Sequence, residues 1–100
     1  MILGMLLISR GYKDDLLGLA GAALKQGHDV NIFMMDDGVY YSQDEAVAGL
    51  ARRDGVSMSL CERSCQWRDI GEDMIPDGIT AGSQMQNAVM HNSADRILVL

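Results

Sequence analysis

The sequence predicts one small α/β domain over residues 1–100, built on a doubly wound parallel sheet of five strands with helices on both faces. Three observations carry that expectation. The run Ile2–Ile8 is apolar almost without a break and has strand length, the pattern of a strand covered on both sides and hence of a parallel sheet. Strand-like and helix-like segments then alternate along the whole chain, and right-handed crossovers place the helices of such a chain on both faces. Finally, 48% hydrophobic and 22% charged residues with a single proline describe a folded globular chain, and 100 residues leave room for one core.

The first strand ends at Ser9-Arg10-Gly11. From Tyr12 to Gln26, Leu16, Ala20, Ala23 and Leu24 recur at helical spacing, and Gly27 follows as the stop. Gly18 and Gly21 make this helix thin and are expected to let it lie close to the sheet or a second helix, although each costs about 1 kcal/mol relative to alanine. Val30–Met35 is the second strand, closed by Asp36-Asp37-Gly38. Ser42-Gln43-Asp44-Glu45 has capping-box spacing and opens a helix to about Arg53. In the third strand Val56, Met58 and Leu60 share one face and Ser57 and Ser59 the other, and Cys61 follows at the carboxyl end. Glu62–Asp69 reads as a short helix that stops before Gly71. Beyond the turn at Asp77-Gly78, Ile79–Ala81 makes a short fourth strand and Ser83-Gln84-Met85-Gln86 repeats the capping box. Met85, Ala88, Val89 and Asn92 trace one face of the helix that follows, and Arg96–Leu100 is the fifth strand, expected at a sheet edge.

A formal net charge of −6, with only eight lysines and arginines, argues against a nucleic-acid binder, because neutralising phosphates takes a basic surface. A basic protein partner stays open. The opening MILGMLLI lacks a basic leader and a small-residue cleavage site and is too short to span a bilayer, so no membrane is expected and the cytoplasm is. Two cysteines without an export signal speak for thiols in a reducing compartment over a disulfide scaffold. Aromatic residues are 5% of the chain, so aliphatic side chains and eight methionines must fill the interior; so many methionines can also mark a subunit contact.

In open α/β sheets reactive groups gather outside the carboxyl ends of the strands, where Cys61 falls. A helix starting at Glu62 puts Cys61 at or beside its N-cap, where unpaired backbone donors and the helix dipole favour thiolate over thiol, and Arg63 and Arg68 can add positive charge. Such a cysteine is a nucleophile at neutral pH. The alternative is a buried cysteine packing as a small apolar side chain. Cys65 lies one helical turn on, on the same face, where it either resolves an oxidised or persulfidated Cys61 or packs inertly under the helix. Other enzyme readings fail on spacing. The gap from Cys61 to Arg68 is one residue too long for a cysteine-based phosphate cradle, and the cysteine spacing is one too long for a thioredoxin motif. The lone Gly11 after the first strand makes no dinucleotide-binding run. Asp36 and Asp37 would suit a magnesium ion beside a phospho-acceptor, but the third strand ends in cysteine where an aspartate is wanted, and they read as solvated turn residues. His28 and His91 lack ligand spacing, and no metal or cofactor is expected.

The segment Gly27-His28-Asp29-Val30-Asn31-Ile32-Phe33-Met34-Met35-Asp36-Asp37-Gly38-Val39, followed by Cys61 after the third strand and Arg68 seven positions later, resembles the DsrE/DsrF-like family, which includes sulfur-relay subunits and small YchN-like proteins. The resemblance implies a flavodoxin-like sheet, self-association into trimers or hexamers, and a cysteine that carries sulfur as a persulfide between donor and acceptor proteins. Carried onto this sequence, Cys61 matches the sulfur-accepting cysteine and Arg68 the arginine after it. Many members have glycine directly after that arginine, where this chain has Asp69, and many relatives with a second cysteine place it three residues on, where Cys65 is four on. The leading expectation is a sulfur carrier or sulfurtransferase subunit that accepts sulfane sulfur on Cys61 and passes it to a partner thiol. Against it stand a non-catalytic oligomeric interaction or small-ligand-binding module with an incidental cysteine, and a redox sensor using Cys61 and Cys65.

Overall fold

A computed structural model describes residues 1–100. The apolar segments form five strands, β1 (Ile2–Leu7), β2 (Asp29–Met34), β3 (Val56–Cys61), β4 (Ile79–Gly82) and β5 (Arg96–Val99), all parallel, in the order β4-β3-β2-β1-β5. Between them run α1 (Lys13–Lys25), a 3₁₀ segment Asp36–Gln43 leading into α2 (Glu45–Leu50), the short α3 (Glu62–Gln66), a 3₁₀ turn Glu72–Met74, and α4 (Gln84–Ser93). This is the expected flavodoxin-like layering, with an order different from the 2-1-3-4-5 of flavodoxin. The chain steps one strand at a time from β1 to β4 and then returns across the sheet to lay β5 against β1, so β5 is an edge strand as expected. No helix is long and apolar enough to cross a membrane.

That path decides where the cores sit. Right-handed connections that all step the same way put their helices on one face, and the single step back puts its helix on the other. The main cluster accordingly packs Met5, Leu7, Val30, Ile32, Met34, Met58 and Leu60 of the sheet against Leu16 and Ala20 of α1 and Val47 and Leu50 of α2. The opposite face carries a smaller cluster, in which Phe33 and Cys61 meet Met90 of α4 with Leu6, Met35, Ala94 and Ile97 around them. Gly4 lets α4 approach β1: a Cβ there would stand 3.1 Å from that of Ala94 and 3.2 Å from Met90 Cγ.

Several local expectations are corrected. The 42–45 capping box does not form, because Ser42 donates its hydroxyl to the Val39 carbonyl (2.7 Å) while Asp44 caps α2, accepting from the amides of Ala46 (3.0 Å) and Val47 (3.3 Å). Asp36-Asp37-Gly38 does not close β2 as a plain turn but opens the 3₁₀ segment. A Cβ at Gly18 or Gly21 would meet nothing within 4 Å, so the thinness of α1 serves no close contact within the chain. Helix α3 ends at Gln66 because Asp69 turns left-handed (φ 58°) and Ile70 N–H returns to the Cys65 carbonyl (3.0 Å), a Schellman-type stop. On α4 the apolar side is reversed: Met85 and Val89 are 69% and 57% exposed, while Gln86 turns toward Asn31, Ser57, Ser59 and Thr80 along a groove of about 490 Å³. The second capping box does form, with Ser83 N–H on Gln86 Oε1 at 2.7 Å and Met85 N–H on Ser83 Oγ at 3.2 Å.

Two substitutions test this frame. A Cβ at position 38 would collide with the Leu7 carbonyl, so Gly38→Ala is expected to cost about 3 kcal/mol or more, read from the denaturant midpoint. Loss of the α2 cap in Asp44→Ala is expected to cost about 1 kcal/mol at neutral pH. The hydrogen bond from Lys13, with help from the Val47 and Ala46 amides and against the effect of burial, holds the Asp44 carboxyl below the usual range. A depressed folded pKa stabilises above the unfolded value and is lost as pH falls through the folded one, so the gap between wild type and Asp44→Ala should close in acid. A gap that stays constant through acid would contradict the assignment.

Candidate functional site

The alternation of β3 sends Leu60 into the main core and Cys61 to the other face, at the carboxyl end of the strand and as the N-cap of α3. Cys61 is 9% exposed, and what remains open faces a cleft of about 690 Å³ between α3 and the start of α4, lined also by Glu62, Arg63, Gln66, Gln84 and Met85. Burial pushes this thiol up, yet the donors facing the sulfur outweigh it: the Ser64 hydroxyl and amide, the Gln84 side chain and the Arg63 amide hold Cys61 below the ordinary thiol range. The same Gln84 amide group also reaches Met35 Sδ at 3.8 Å. A sheltered sulfur whose anionic form costs less than that of a free thiol is a nucleophile with restricted access.

Arg68 is not at the sulfur. Its Nε and one terminal nitrogen both bind Asp37 Oδ1 at 2.9 Å, and the other terminal nitrogen binds the Ser64 carbonyl at 3.2 Å. The expectation that Arg68 lends its charge directly to the Cys61 anion is therefore corrected, since both of its polar partners are oxygens and neither is the thiol. Asp37 is likewise more than a solvated turn residue. The residues the sequence reading passed over are Ser64, whose Oγ accepts the Asp36 N–H at 3.0 Å, and Gln84, noticed there only for its place in a capping box. Ser64 carried a local signal, since it stands three residues after an N-cap cysteine, and Gln84, on α4, carried none.

Cys65 takes the other side of the helix. It is 1% exposed, packs in the main core and not with Cys61, and borders a second cleft with Glu62, Asp69 and Glu72. Because Cys61 is a strand-ending N-cap and not a helical residue, four positions of separation do not put the two sulfurs on one face, and that expectation is corrected. Burial first, then the charges of Cys61 and Glu62, push the Cys65 thiol up, with Arg68 partly opposing. Both cysteines are free thiols. No group of three or more histidine, cysteine, aspartate or glutamate side chains comes together in a way that would hold a metal ion.

Comparison with known proteins agrees with this architecture. The chain is similar to the YchN protein of E. coli in its crystal structure, with a TM-score of 0.81 at 21% identity over 99% of this chain and 97% of that one. It is also similar to MTH1491, a protein of unknown function from Methanobacterium thermoautotrophicum, with a TM-score of 0.72 at 12% identity over 99% and 98% of the two chains. At these identities the likeness speaks to the fold. No curated protein matches the sequence. The sequence profile of one family does match, over residues 5–100, and the chain belongs to the DsrE/DsrF-like family.

Proposed function

We propose that this protein is a sulfur carrier that accepts sulfane sulfur on Cys61 and passes it to a partner thiol. The observation that carries the reading is the Cys61 environment, a largely buried sulfur at the mouth of a cleft whose surrounding donors overcome the effect of burial and favour the thiolate. Membership of a family with sulfur-relay members supports it. In the step proposed, the Cys61 thiolate attacks the outer sulfur of a donor persulfide; a new S–S bond forms on Cys61, the donor's S–S bond breaks, and the donor leaves as a thiolate. The reverse exchange with an acceptor thiolate regenerates Cys61. Neither step changes the net oxidation state, and neither needs a metal or a cofactor. Cys65, deep in the core with its thiol pushed up, takes no part in this scheme.

Incubation with a cysteine desulfurase and cysteine is expected to add one sulfur mass to the intact protein, abolished in Cys61→Ser and retained in Cys65→Ala. Absence of that adduct on wild type would remove the reading.

Self-association into a trimer or hexamer belongs to the same proposal, and α4 favours it by turning Met85, Ala88 and Val89 outward. Without a reactive Cys61 the same surface would serve the second reading, a non-catalytic oligomeric module. Light scattering is expected to give three or six times the monomer mass, and Val89→Asp to reduce it to that of one chain; a wild-type monomer would contradict the assembly.

A further inference from the structure

Two clefts lie side by side along α3. One holds Cys61 and carries a single acid, Glu62, and a single base, Arg63. The other, of about 590 Å³, is lined by the apolar Ile70, Ile75 and buried Cys65, and it carries Glu62, Asp69 and Glu72 with no base at all. Glu62 and Gln66 belong to both clefts, and four positions apart on one helix they form the ridge that divides them.

The three carboxylates of the second cleft are uncommitted. The ion pairs of the chain are Lys13–Asp44 and Arg68–Asp37, and Arg68 spends its remaining hydrogen bond on the Ser64 carbonyl. Nor do the carboxylates converge on a point where a metal ion would be held. Carboxylates spread around an apolar lining match a long cationic side chain, whose hydrocarbon stem lies on apolar surface while its head stays among the charges. A lysine or arginine arriving from outside also meets the right sign of charge in a chain whose net charge is −6. Trp67, the one tryptophan of the chain, follows Gln66 directly and is 76% exposed, and tryptophan is a residue on which partner contacts concentrate.

We propose, resting on the sulfur-carrier reading, that the acidic cleft docks a lysine or arginine side chain of the protein that exchanges sulfur with Cys61. The spacing follows from the ridge. A helix with its side chains is about 10 Å across, and extended chain covers about 3.4 Å per residue, so the basic residue stands about three positions from the partner's reactive cysteine. The Cys61 cleft has balanced charges and selects no sign; its neighbour supplies the selection, and the partner segment crosses the ridge of Glu62 and Gln66 to bring its sulfur to Cys61.

The test uses capped tetrapeptides ending in a cysteine held as its mixed disulfide with 2-thiopyridine. One peptide has arginine and the other glutamine three positions before the cysteine. In a Cys65→Ala background the Cys61 thiolate attacks the peptide sulfur; an S–S bond to Cys61 forms, the bond to the pyridine breaks, and pyridine-2-thiolate leaves and is read by absorbance. With rates normalised to those of 2-mercaptoethanol, the arginine peptide should react about threefold faster or more at low salt, an advantage lost at about 0.5 M salt. Asp69→Asn combined with Glu72→Gln, which removes charge and keeps shape, should bring the ratio to about one. Asp14→Asn combined with Asp15→Asn, the same change of charge in the first turn of α1, should leave the ratio as it was. Equal rates or no reaction with the unaltered cleft overturns the proposal, as does a preference that survives the cleft variant or is lost equally in the α1 variant. No sulfur donor enters this assay, so the two ideas fail separately: an arginine preference without a persulfide on wild type keeps the docking site and discards the sulfur carrier, and a persulfide without the preference does the reverse.

Discussion

The handedness of parallel connections governs this molecule. Three successive steps in one direction, from β1 to β4, commit α1, α2 and α3 to one side of the sheet, and the long return to β5 leaves α4 alone on the other. One face therefore holds a thick core and the other only a patch around Phe33, Cys61 and Met90. The residue that ends β3 on the thin face lies where α3 begins and α4 arrives. A cysteine there is surrounded without being sealed, which a position in the thick core would not allow.

Around that sulfur two opposing effects meet. Low-dielectric surroundings disfavour an anion, and hydrogen-bond donors favour it. The donors prevail at Cys61 and have no counterpart at Cys65, so two cysteines four positions apart are driven in opposite directions. What separates them is backbone context: Cys61 still belongs to a strand and points with it, whereas Cys65 has entered a helix and points with that. The left-handed residue that ends α3 has a related meaning. This chain puts Asp69 at φ 58°, a conformation glycine adopts freely, and aspartate tolerates it better than most side chains.

Much of this was legible in the sequence, and the parts that were not share a cause. Strands showed because β1, β2 and β3 are apolar runs or clean alternations bounded by glycine and aspartate, and the cap at Ser83 showed because no rival stood near it. At residues 42–45 two caps competed, and Asp44 prevailed with an ion pair to Lys13 that lies 31 positions away in the chain. The strand order had no local signature, because a crossover to the left and one to the right are written with the same residues. Cys61 could be found from its place after a strand. Its supporting contacts could not, since the Asp37–Arg68 and Asp36–Ser64 pairs join residues about thirty apart. The reversed face of α4 misled for another reason. An apolar stripe usually points inward, and here the sheet below presents Ser57, Ser59 and Thr80, which suit Gln86 better than Met85.

The division of the two thiols between opposite sides of α3 bears on what becomes of a bound sulfur atom. A persulfide is easily discharged by a second thiol, which closes a disulfide and releases sulfide. With Cys65 turned away into the core, a sulfur atom held on Cys61 as proposed would meet no internal thief, and its lifetime would be set by who is admitted at the cleft.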